Sequence, residues 1–285
     1  MTTLAPPYQQ VQAHYDLSND FFRLFLGPTM MYTCAYFERD DMTLEEAQVA
    51  KIKLALDKCD LAPGQRLLDI GCGWGVTIIH AVEDYGVRGV GVTLSGEQLE
   101  YAEAHSRHLA GQAEFRLQGW EEFDESVDRI VVICATEHFR EERYAAFFEK
   151  CHRLLPARAP LLVQAIVFPE YETQQEKGLS WTQEDILFAK FIQRKIFPGG
   201  QLRSPSVLCR YANAAGFRTK SVQSLQPHYA RTLDCWAARL AANRDAAMAL
   251  TSQDTYDMYM HYLTGCANYY RCGKMDVVQI WLEKM

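Results

Sequence analysis

The sequence lacks the features that mark disulfide-stapled, metal-binding or membrane-spanning proteins. Its nine cysteines are an odd number and no two have Cys-x-x-Cys spacing, so we expect reduced thiols and neither disulfides nor a metal site. No apolar run approaches the roughly 20 residues that a membrane helix requires. Residues 1–10 carry no signal-peptide pattern. We therefore expect a cytoplasmic protein without a transmembrane segment.

Excess positive charge is also lacking. The 285 residues have a formal net charge of -7, which argues against a nucleic-acid partner, because such binders usually carry a basic face. Hydrophobic residues make up 48% of the chain and charged residues 23%, an ordinary globular balance. A chain of this length can form one large domain, or one domain with a cap.

Strand and helix signals alternate through the middle of the chain, which indicates a parallel α/β sheet. The predicted strands are Arg66–Ile70, Gly89–Leu94, Glu114–Gln118, Arg129–Cys134 and Leu161–Val167. The predicted helices of this region are a helix ending at Tyr85, Ser95–Leu109 and Glu142–Leu154. We take residues 61–167 as the core of a single domain that spans residues 1–285.

Helical patterns flank this core. Residues 1–60 are expected to form a helical cap, with one helix over Val11–Phe25 and a second that begins at the N-cap Thr43, with Glu46 as its capping-box partner. Residues 168–285 are expected to build the substrate pocket, beginning with a long aromatic-rich insert up to Ser204. Strand signals return at Phe217–Leu225 and Asp276–Leu282, on either side of a helical stretch over Thr232–Leu263.

The strongest local signal is an apolar strand that runs into Gly-x-Gly-x-Gly and then a helix, over Leu67–Gly75. Gly71 and Gly73 allow the backbone to turn tightly and approach a ligand, and Asp69 can accept hydrogen bonds near it. The spacing differs from the Gly-x-Gly-x-x-Gly of dinucleotide sites. It is similar to motif I of class I S-adenosylmethionine (SAM)-dependent methyltransferases.

In most of that superfamily an acid ends the second strand, whereas here Val92–Ser95 contains none. This departure, with a series of further motifs over nearly the whole chain, resembles the cyclopropane fatty acid synthase family, and most closely its mycolic acid cyclopropane synthase and methyltransferase branch. The motifs are His14-Tyr15-Asp16, Tyr32-Thr33-Cys34-Ala35-Tyr36-Phe37, Leu68-Asp69-Ile70-Gly71-Cys72-Gly73-Trp74-Gly75, Thr93-Leu94-Ser95, Gly119-Trp120-Glu121, Glu137-His138-Phe139, Ile196-Phe197-Pro198-Gly199-Gly200, Pro227-His228-Tyr229 and Tyr262-Leu263-Thr264-Gly265-Cys266.

The resemblance implies SAM as cofactor and a set of residues that hold it. Tyr32 and Thr33 would touch its amino-acid portion, with Tyr15 closing over it, and Gly71 and Gly73 would face it. The remaining contacts would be Thr93, Leu94 and Gln98 on the ribose and adenosine side, and Trp120 and Glu121 around the adenine. Ser95 and Gln98 also fit a capping box, so Gln98 has either that role alone or both.

The resemblance also implies a bound bicarbonate as the base. Its matching partners here are Glu137, Tyr229, Cys34 and Ile133, the last through a backbone amide. The family's histidine falls on Gln164, and an amide cannot relay a proton as imidazole can. Gln164 is either a feature of the hydroxymycolate type, which adds methyl and water, or a neutral substitution. Thr136 replaces the usual phenylalanine before the glutamate.

These residues predict an α/β, Rossmann-like class I SAM-dependent methyltransferase with a helical cap and an insert over a lipid pocket. The expected reaction is methyl transfer to the double bond of a long unsaturated acyl chain through a carbocation, giving a cyclopropane. The alternatives are methylation plus hydration to a methyl-branched alcohol, methylation of a smaller non-lipid substrate such as an amine, and a catalytically silent SAM- or lipid-binding protein.

The expected partner is an acyl carrier protein that bears the substrate. Carrier proteins are acidic and so is this chain, so docking requires a local basic patch. Arg194, Lys195, Arg203 and Arg210 are the candidates for that patch. Peripheral contact with a membrane is left open.

Overall fold

A computed structural model describes residue 6, residues 17–109 and residues 111–285. The helix predicted over Val11–Phe25 lies partly outside these residues. Its described part forms α1 (Asn19–Leu26), which begins after the N-cap Ser18. Helix α2 (Leu44–Asp57) begins where the sequence predicts, and Thr43 and Glu46 form the expected capping box.

Seven strands form one sheet. They are β1 (Arg66–Ile70), β2 (Arg88–Thr93), β3 (Ala113–Leu117), β4 (Arg129–Ile133), β5 (Pro160–Val167), β6 (Phe217–Ser224) and β7 (Asp276–Lys284). Their order is β3-β2-β1-β4-β5-β7-β6. The predicted positions of all seven strands are confirmed within a residue or two at most ends.

The sheet is mixed: the parallel pairing predicted for the five core strands is confirmed, and the two later strands, whose direction was not predicted, are antiparallel. Strands β1 to β5 pair in parallel, whereas β7 lies antiparallel between β5 and β6. A strand buried on both faces has the same continuous apolar pattern in either direction. The sequence pattern therefore located β7 but carried no information about its direction.

Helices connect the strands and continue into the second half of the chain. They are α3 (Val76–Tyr85), α4 (Gly96–Ser106), α5 (Glu141–Leu154), α6 (Tyr171–Glu176), α7 (Gln183–Phe191), α8 (Pro205–Ala214), α9 (Gln226–Ala242), α10 (Arg244–Leu250) and α11 (Gln253–Arg271). The single helical stretch predicted over Thr232–Leu263 is three helices over a longer range. Helix α8 was not predicted. No helix of the described residues is long and apolar enough to cross a membrane.

The buried residues form three clusters that explain how the parts are held together. One cluster packs α5 and α8 on one face of the sheet, including Phe147 and Phe148. A second packs α2, α3 and α4 on the other face. The third joins α1 to α9 and α11 through closely packed rings such as Phe25, Trp236 and Tyr259. This aromatic cluster contains the described part of the N-terminal helix, and the helical cap over residues 1–60 stays a prediction.

Candidate active site

Among the residues that the structure describes, the glycine turn after β1 borders open space at one glycine only. Gly71, Gly73 and Gly75 all have positive φ, at 79°, 54° and 83°. A Cβ on Gly71 would lie 2.6 Å from the Cβ of Ala135, and one on Gly75 would lie 2.7 Å from the Phe115 ring. A Cβ on Gly73 would have the Gln98 Nε2 as its nearest neighbour, at 4.0 Å. Packing therefore requires Gly71 and Gly75, whereas Gly73 leaves room for a ligand.

Asp69, on β1, has an unsatisfied carboxylate oxygen. The side chain is 1% exposed and its Oδ1 has no hydrogen-bond partner among the described residues. Burial raises its pKa to about 7, although the nearby Lys51 favours the charged form. A buried polar atom without a partner is costly, and a ligand N–H would remove that cost. The amino group of SAM fits this requirement.

Gln98 is oriented by Thr93 rather than by the helix cap. The Ser95 hydroxyl accepts a hydrogen bond from the Gln98 N–H at 3.3 Å, so Ser95 is the N-cap of α4. The Gln98 Oε1 accepts from the Thr93 hydroxyl at 2.9 Å instead of completing a capping box. Its Nε2 therefore faces the space beside Gly73. Of the two roles predicted for Gln98, the geometry favours the cofactor.

Trp120 and Glu121 also carry unsatisfied atoms. The Trp120 ring packs edge-on to Phe147 with centroids 5.4 Å apart, and its Nε1 has no partner among the described residues. The Oε1 of Glu121 pairs with Arg143 at 2.5 Å, while its Oε2 is buried without a partner. Burial raises the pKa of Glu121. A donor and an acceptor left unpaired on consecutive residues are of the kinds that the polar edge of a purine can pair with.

The segment around Thr33, which was predicted to hold the amino-acid portion of SAM, is hydrogen-bonded to side chains of α2. The Lys51 ammonium donates to the Thr33 hydroxyl at 2.9 Å, and the Gln48 amide donates to the Thr33 carbonyl oxygen at 2.9 Å. Both α2 side chains are fully buried, and the sequence analysis missed both. Leu94 is partly buried at the end of β2. Tyr15 lies outside the described residues, so its role stays a prediction.

A cavity of about 530 Å³ lies between the carboxyl ends of β4 and β5 and the helices α7, α9 and α11. Its walls are mostly aromatic and aliphatic, and they include Tyr32, Phe188, Phe197, Tyr229, Tyr262 and Tyr270. The volume is in the usual range for a small-molecule site, about 300–1,000 Å³. The insert contributes Trp181 and Ile186, which line the cavity and are also exposed to solvent.

Glu137 is a carboxyl in the wall of this cavity, held by two hydrogen bonds. Its Oε1 accepts from the Ile166 backbone N–H at 2.7 Å, and its Oε2 accepts from the Thr136 hydroxyl at 3.2 Å. Burial raises its pKa to about 7. Thr136, which the sequence analysis noted only for the loss of an aromatic ring, therefore positions the carboxyl.

Cys34 and Gln164 lie behind the cavity wall rather than in it. Both are fully buried, and neither lines the cavity. The Cys34 thiol donates to the Ala35 carbonyl oxygen at 3.1 Å, and burial raises its pKa, so it stays protonated. The Gln164 Nε2 donates to the sulfur of Cys134 at 3.6 Å. Cys134 lines the cavity, so it stands between Gln164 and the substrate space.

Ile133 is the last residue of β4 and is paired with Gln164 in the sheet. The next residue, Cys134, has a left-handed φ of 54°, which is uncommon for a side chain other than glycine. This bend turns the chain from β4 toward Glu137. The predicted partners of the base are thus gathered around Cys134, which the sequence analysis named only as the end of a predicted strand.

Tyr229 and Tyr270 form the opposite wall, with ring centroids 4.6 Å apart. Tyr229 was predicted and Tyr270 was not. The Tyr270 hydroxyl is buried and has no hydrogen-bond partner among the described residues. Burial raises the pKa of both phenols, so both stay protonated and can donate. The unpaired hydroxyl marks Tyr270 as a candidate site residue, and this mark can be seen in the structure but not in the sequence.

The fold and the glycine turn define a class I SAM-dependent methyltransferase, and comparison with known proteins is consistent with this. The family model described as mycolic acid cyclopropane synthetase matches residues 2–280. Cyclopropane mycolic acid synthase 3 of Mycobacterium tuberculosis is 56% identical over 283 residues, covering 99% of each chain. The S-adenosylmethionine-dependent methyltransferase UmaA of the same species is 51% identical and covers 100% of each chain.

A solved structure of the mycolic acid cyclopropane synthase CmaA1, complexed with SAH and CTAB, has a TM-score of 0.95 and 53% identity to this chain, covering 99% of each. The chain therefore belongs to the mycolic acid cyclopropane synthetase family, and it is a SAM-dependent methyltransferase. The orphaned atoms of Asp69, Trp120 and Glu121, with the open space at Gly73, fit this cofactor.

Proposed function

We propose that this protein transfers the methyl group of SAM to a double-bond carbon of a long unsaturated acyl chain, and that proton loss from the new methyl closes a cyclopropane ring. The observation that carries the proposal is the carboxyl of Glu137, the one carboxyl among the described residues that line a largely aromatic and apolar cavity. Three of the relatives are named for cyclopropane mycolic acids, which supports an acyl substrate.

The cavity suits a reaction that creates positive charge on a hydrocarbon. When bound, SAM supplies an electrophilic methyl group. The π electrons of the alkene would form the new carbon–carbon bond as the sulfur–methyl bond breaks and its electron pair goes to sulfur, which leaves S-adenosylhomocysteine. The second alkene carbon would become a cation. The faces of Tyr32, Tyr229 and Tyr262 can each stabilise that cation by roughly 0.5–2 kcal/mol. The Glu137 carboxylate adds a fixed negative charge in a dry site.

Ring closure requires a base that removes a proton from the new methyl. We propose a bicarbonate ion in the cavity, with its O–H donating to Glu137 and the Tyr229 hydroxyl donating to the ion. A carboxyl with a pKa of about 7 is well suited to receive the proton near neutral pH. Cys34 stays behind this wall, and its thiol acts on Ala35 rather than as a nucleophile.

Hydration is the second candidate outcome, and one observation favours it. No imidazole stands at position 164, and the Gln164 oxygen is already occupied by the Gln279 amide at 3.0 Å. Gln164 therefore cannot take a proton. If the base is weakened in this way, water can add to the cation before the ring closes, and the product is a methyl-branched alcohol.

The deciding experiment is mass spectrometry of an unsaturated acyl substrate on a carrier protein, incubated with the enzyme and SAM. A gain of CH2 with loss of the double bond supports the cyclopropane, whereas a gain of CH2 plus H2O supports hydration. SAM binding without turnover of any unsaturated acyl chain would overturn the proposal and leave a smaller substrate or a silent protein. The Gln164→His variant is the matched test of product fate. It is expected to shift any alcohol toward cyclopropane.

A further inference from the structure

Three polar side chains of helix α2 and its C-cap residue are buried or half-buried and donate hydrogen bonds to residues in or next to the site. Gln48 and Lys51 are fully buried, and Lys58 is half-buried at the C-terminal end of the helix. Buried lysines are rare and costly, because the charged form loses its hydration. Burial lowers the pKa of both lysines to about 8. The hydrogen bonds that the two lysines make show which groups their burial positions.

Lys51 fixes the direction of the Thr33 hydroxyl. Its ammonium donates to the Thr33 Oγ1 at 2.9 Å, and an ammonium has no acceptor. The hydroxyl must therefore use a lone pair toward Lys51, which leaves its hydrogen available for another acceptor. Gln48 holds the backbone of the same segment by donating to the carbonyl oxygens of Thr33 at 2.9 Å and Met31 at 3.4 Å.

Lys58 fixes the direction of a longer chain of hydrogen bonds. Its ammonium donates to the Gln279 Oε1, so the Gln279 amide nitrogen must point the other way. That nitrogen donates to the Gln164 Oε1 at 3.0 Å, and the Gln164 nitrogen donates to the Cys134 sulfur at 3.6 Å. Reversing either amide would bring two donors or two acceptors together. A donor-only group at one end therefore determines which end of Gln164 faces the cavity wall.

We propose that α2 is a positioning element for both halves of the site: Lys51 makes Thr33 a hydrogen-bond donor toward the cofactor, and Lys58, through Gln279, makes Gln164 a donor toward the Cys134 wall of the cavity. The second half rests on the proposed function. Neither lysine touches the reacting atoms. Gln164 is thereby limited to supporting an anion or a water oxygen beside Cys134.

The test is a pair of variants, of which one should change the affinity for SAM and the other should change kcat. Lys51→Met should weaken SAM affinity about tenfold, the effect of about one hydrogen bond, while kcat at saturating SAM stays near wild type. Lys58→Met should leave the Kd for SAM unchanged, lower kcat about tenfold and alter the product ratio. Lys51→Gln, which keeps an N–H donor, and Lys58→Arg, which keeps a donor-only group, should restore much of each loss.

Two further variants separate orientation from packing. Gln279→Glu still accepts from Lys58 but cannot donate to Gln164, so it should behave like Lys58→Met. Gln223→Leu removes the other acceptor of Lys58, at 2.6 Å, and should leave kcat unchanged. Equal losses of SAM affinity and kcat in both lysine variants, with no rescue, would mean plain packing and overturn the proposal. If wild type turns over no unsaturated acyl chain, the proposed function fails, whereas calorimetry still decides the Lys51 half.

Discussion

The Oε1 of Glu137 accepts a hydrogen bond from the Ile166 backbone N–H at 2.7 Å, which ties the segment after β4 to the end of β5. The same residues line one wall of the cavity. A carboxyl held by a strand in this way does not need to reorganise when charge develops beside it, and such preorganised contacts have large effects on rate.

Replacing Glu137 with glutamine should separate catalysis from binding. Glutamine keeps an oxygen for the Ile166 N–H, so the fold and the Kd for SAM should be unchanged. Loss of the negative charge should lower kcat by about 100- to 1,000-fold, or roughly 2.7–4 kcal/mol. Single-turnover rates and calorimetry measure the two effects. Glu142→Gln is the control, because Glu142 is exposed. A kcat within threefold of wild type would contradict the role of Glu137.

The raised pKa of Glu137 makes activity and stability respond to pH in opposite directions. The folded-state pKa is about 7 against an ordinary value of 4.5. The folded chain therefore holds an extra proton between these values, and the stability from this group is lost as pH rises through 7. The proposed reaction uses the carboxylate, so kcat should rise over the same range.

Urea unfolding and kcat measured from pH 5 to pH 8 test this relation, and Glu137→Gln should lose the rise in kcat. Some pH dependence of stability should remain in that variant, because burial also raises the pKa of Asp69 to about 7. Asp69→Asn should remove that remainder. A flat kcat profile in wild type would show that ionisation of Glu137 does not limit the reaction.

Two glycines offer a matched test of the cofactor site. Gly73 and Gly64 have φ of 54° and 82°, and a Cβ at either would meet no atom of the described residues closer than 4.0 Å. Valine at each should therefore cost similar backbone strain, roughly 1–2 kcal/mol or more. Only Gly73→Val should abolish SAM binding in calorimetry. If Gly73→Val kept its affinity for SAM, or if Gly64→Val lost affinity equally, the glycine turn would not be the SAM site.

Tyr270→Phe should stabilise the protein and slow the reaction. Its buried hydroxyl has no partner, and removing such a group should raise the free energy of unfolding by about 1 kcal/mol. The hydroxyl should matter once the cavity is filled, so kcat should fall. Tyr85→Phe should instead lower the free energy of unfolding and leave kcat unchanged, because the Tyr85 hydroxyl donates to Asp57 at 2.6 Å and does not line the cavity. A Tyr270→Phe variant with wild-type kcat would make the hydroxyl incidental.

Of the four residues proposed as a basic patch for carrier docking, two form ion pairs in the structure. Arg203 and Arg210 both pair with Glu141, at 2.6 Å and 3.5 Å, so one of their two positive charges is offset there. Arg194 and Lys195 are exposed and form no ion pair within the described residues. They adjoin Gln193, which lines the cavity.

Reversing both charges, Arg194→Glu with Lys195→Glu, should raise the KM for a carrier-bound substrate about tenfold or more at low salt and leave the Kd for SAM unchanged. The control reverses Lys53 and Arg107, which are exposed away from the cavity and change the net charge equally. A similar KM in the two double variants would exclude this surface as the docking site.

The sequence predicts those parts of the site that depend on local pattern. The capping box at Thr43 and the glycine turn at Gly71 and Gly73 are short-range features, and both are found. The open hydroxyl of Tyr270 and the position of Gln164 behind Cys134 depend on long-range packing, which no local pattern contains. Lys51 did leave a signal, since it stands four residues from Ala47 and from Ala55, on the buried stripe of α2.

The position of β7 implies an order of assembly. Strand β6 joins the sheet only through β7, and three helices, α9 to α11, separate the two strands along the chain. A nascent chain can therefore pair β1 to β5 early. Strand β6 has no strand to pair with until α9 to α11, which include two walls of the cavity, and then β7 have been made. Such late, distant pairing is slow. We expect the glycine turn to be formed while the cavity is still open, so that mutations in α9 and α11 slow completion of the cavity more than formation of the glycine turn.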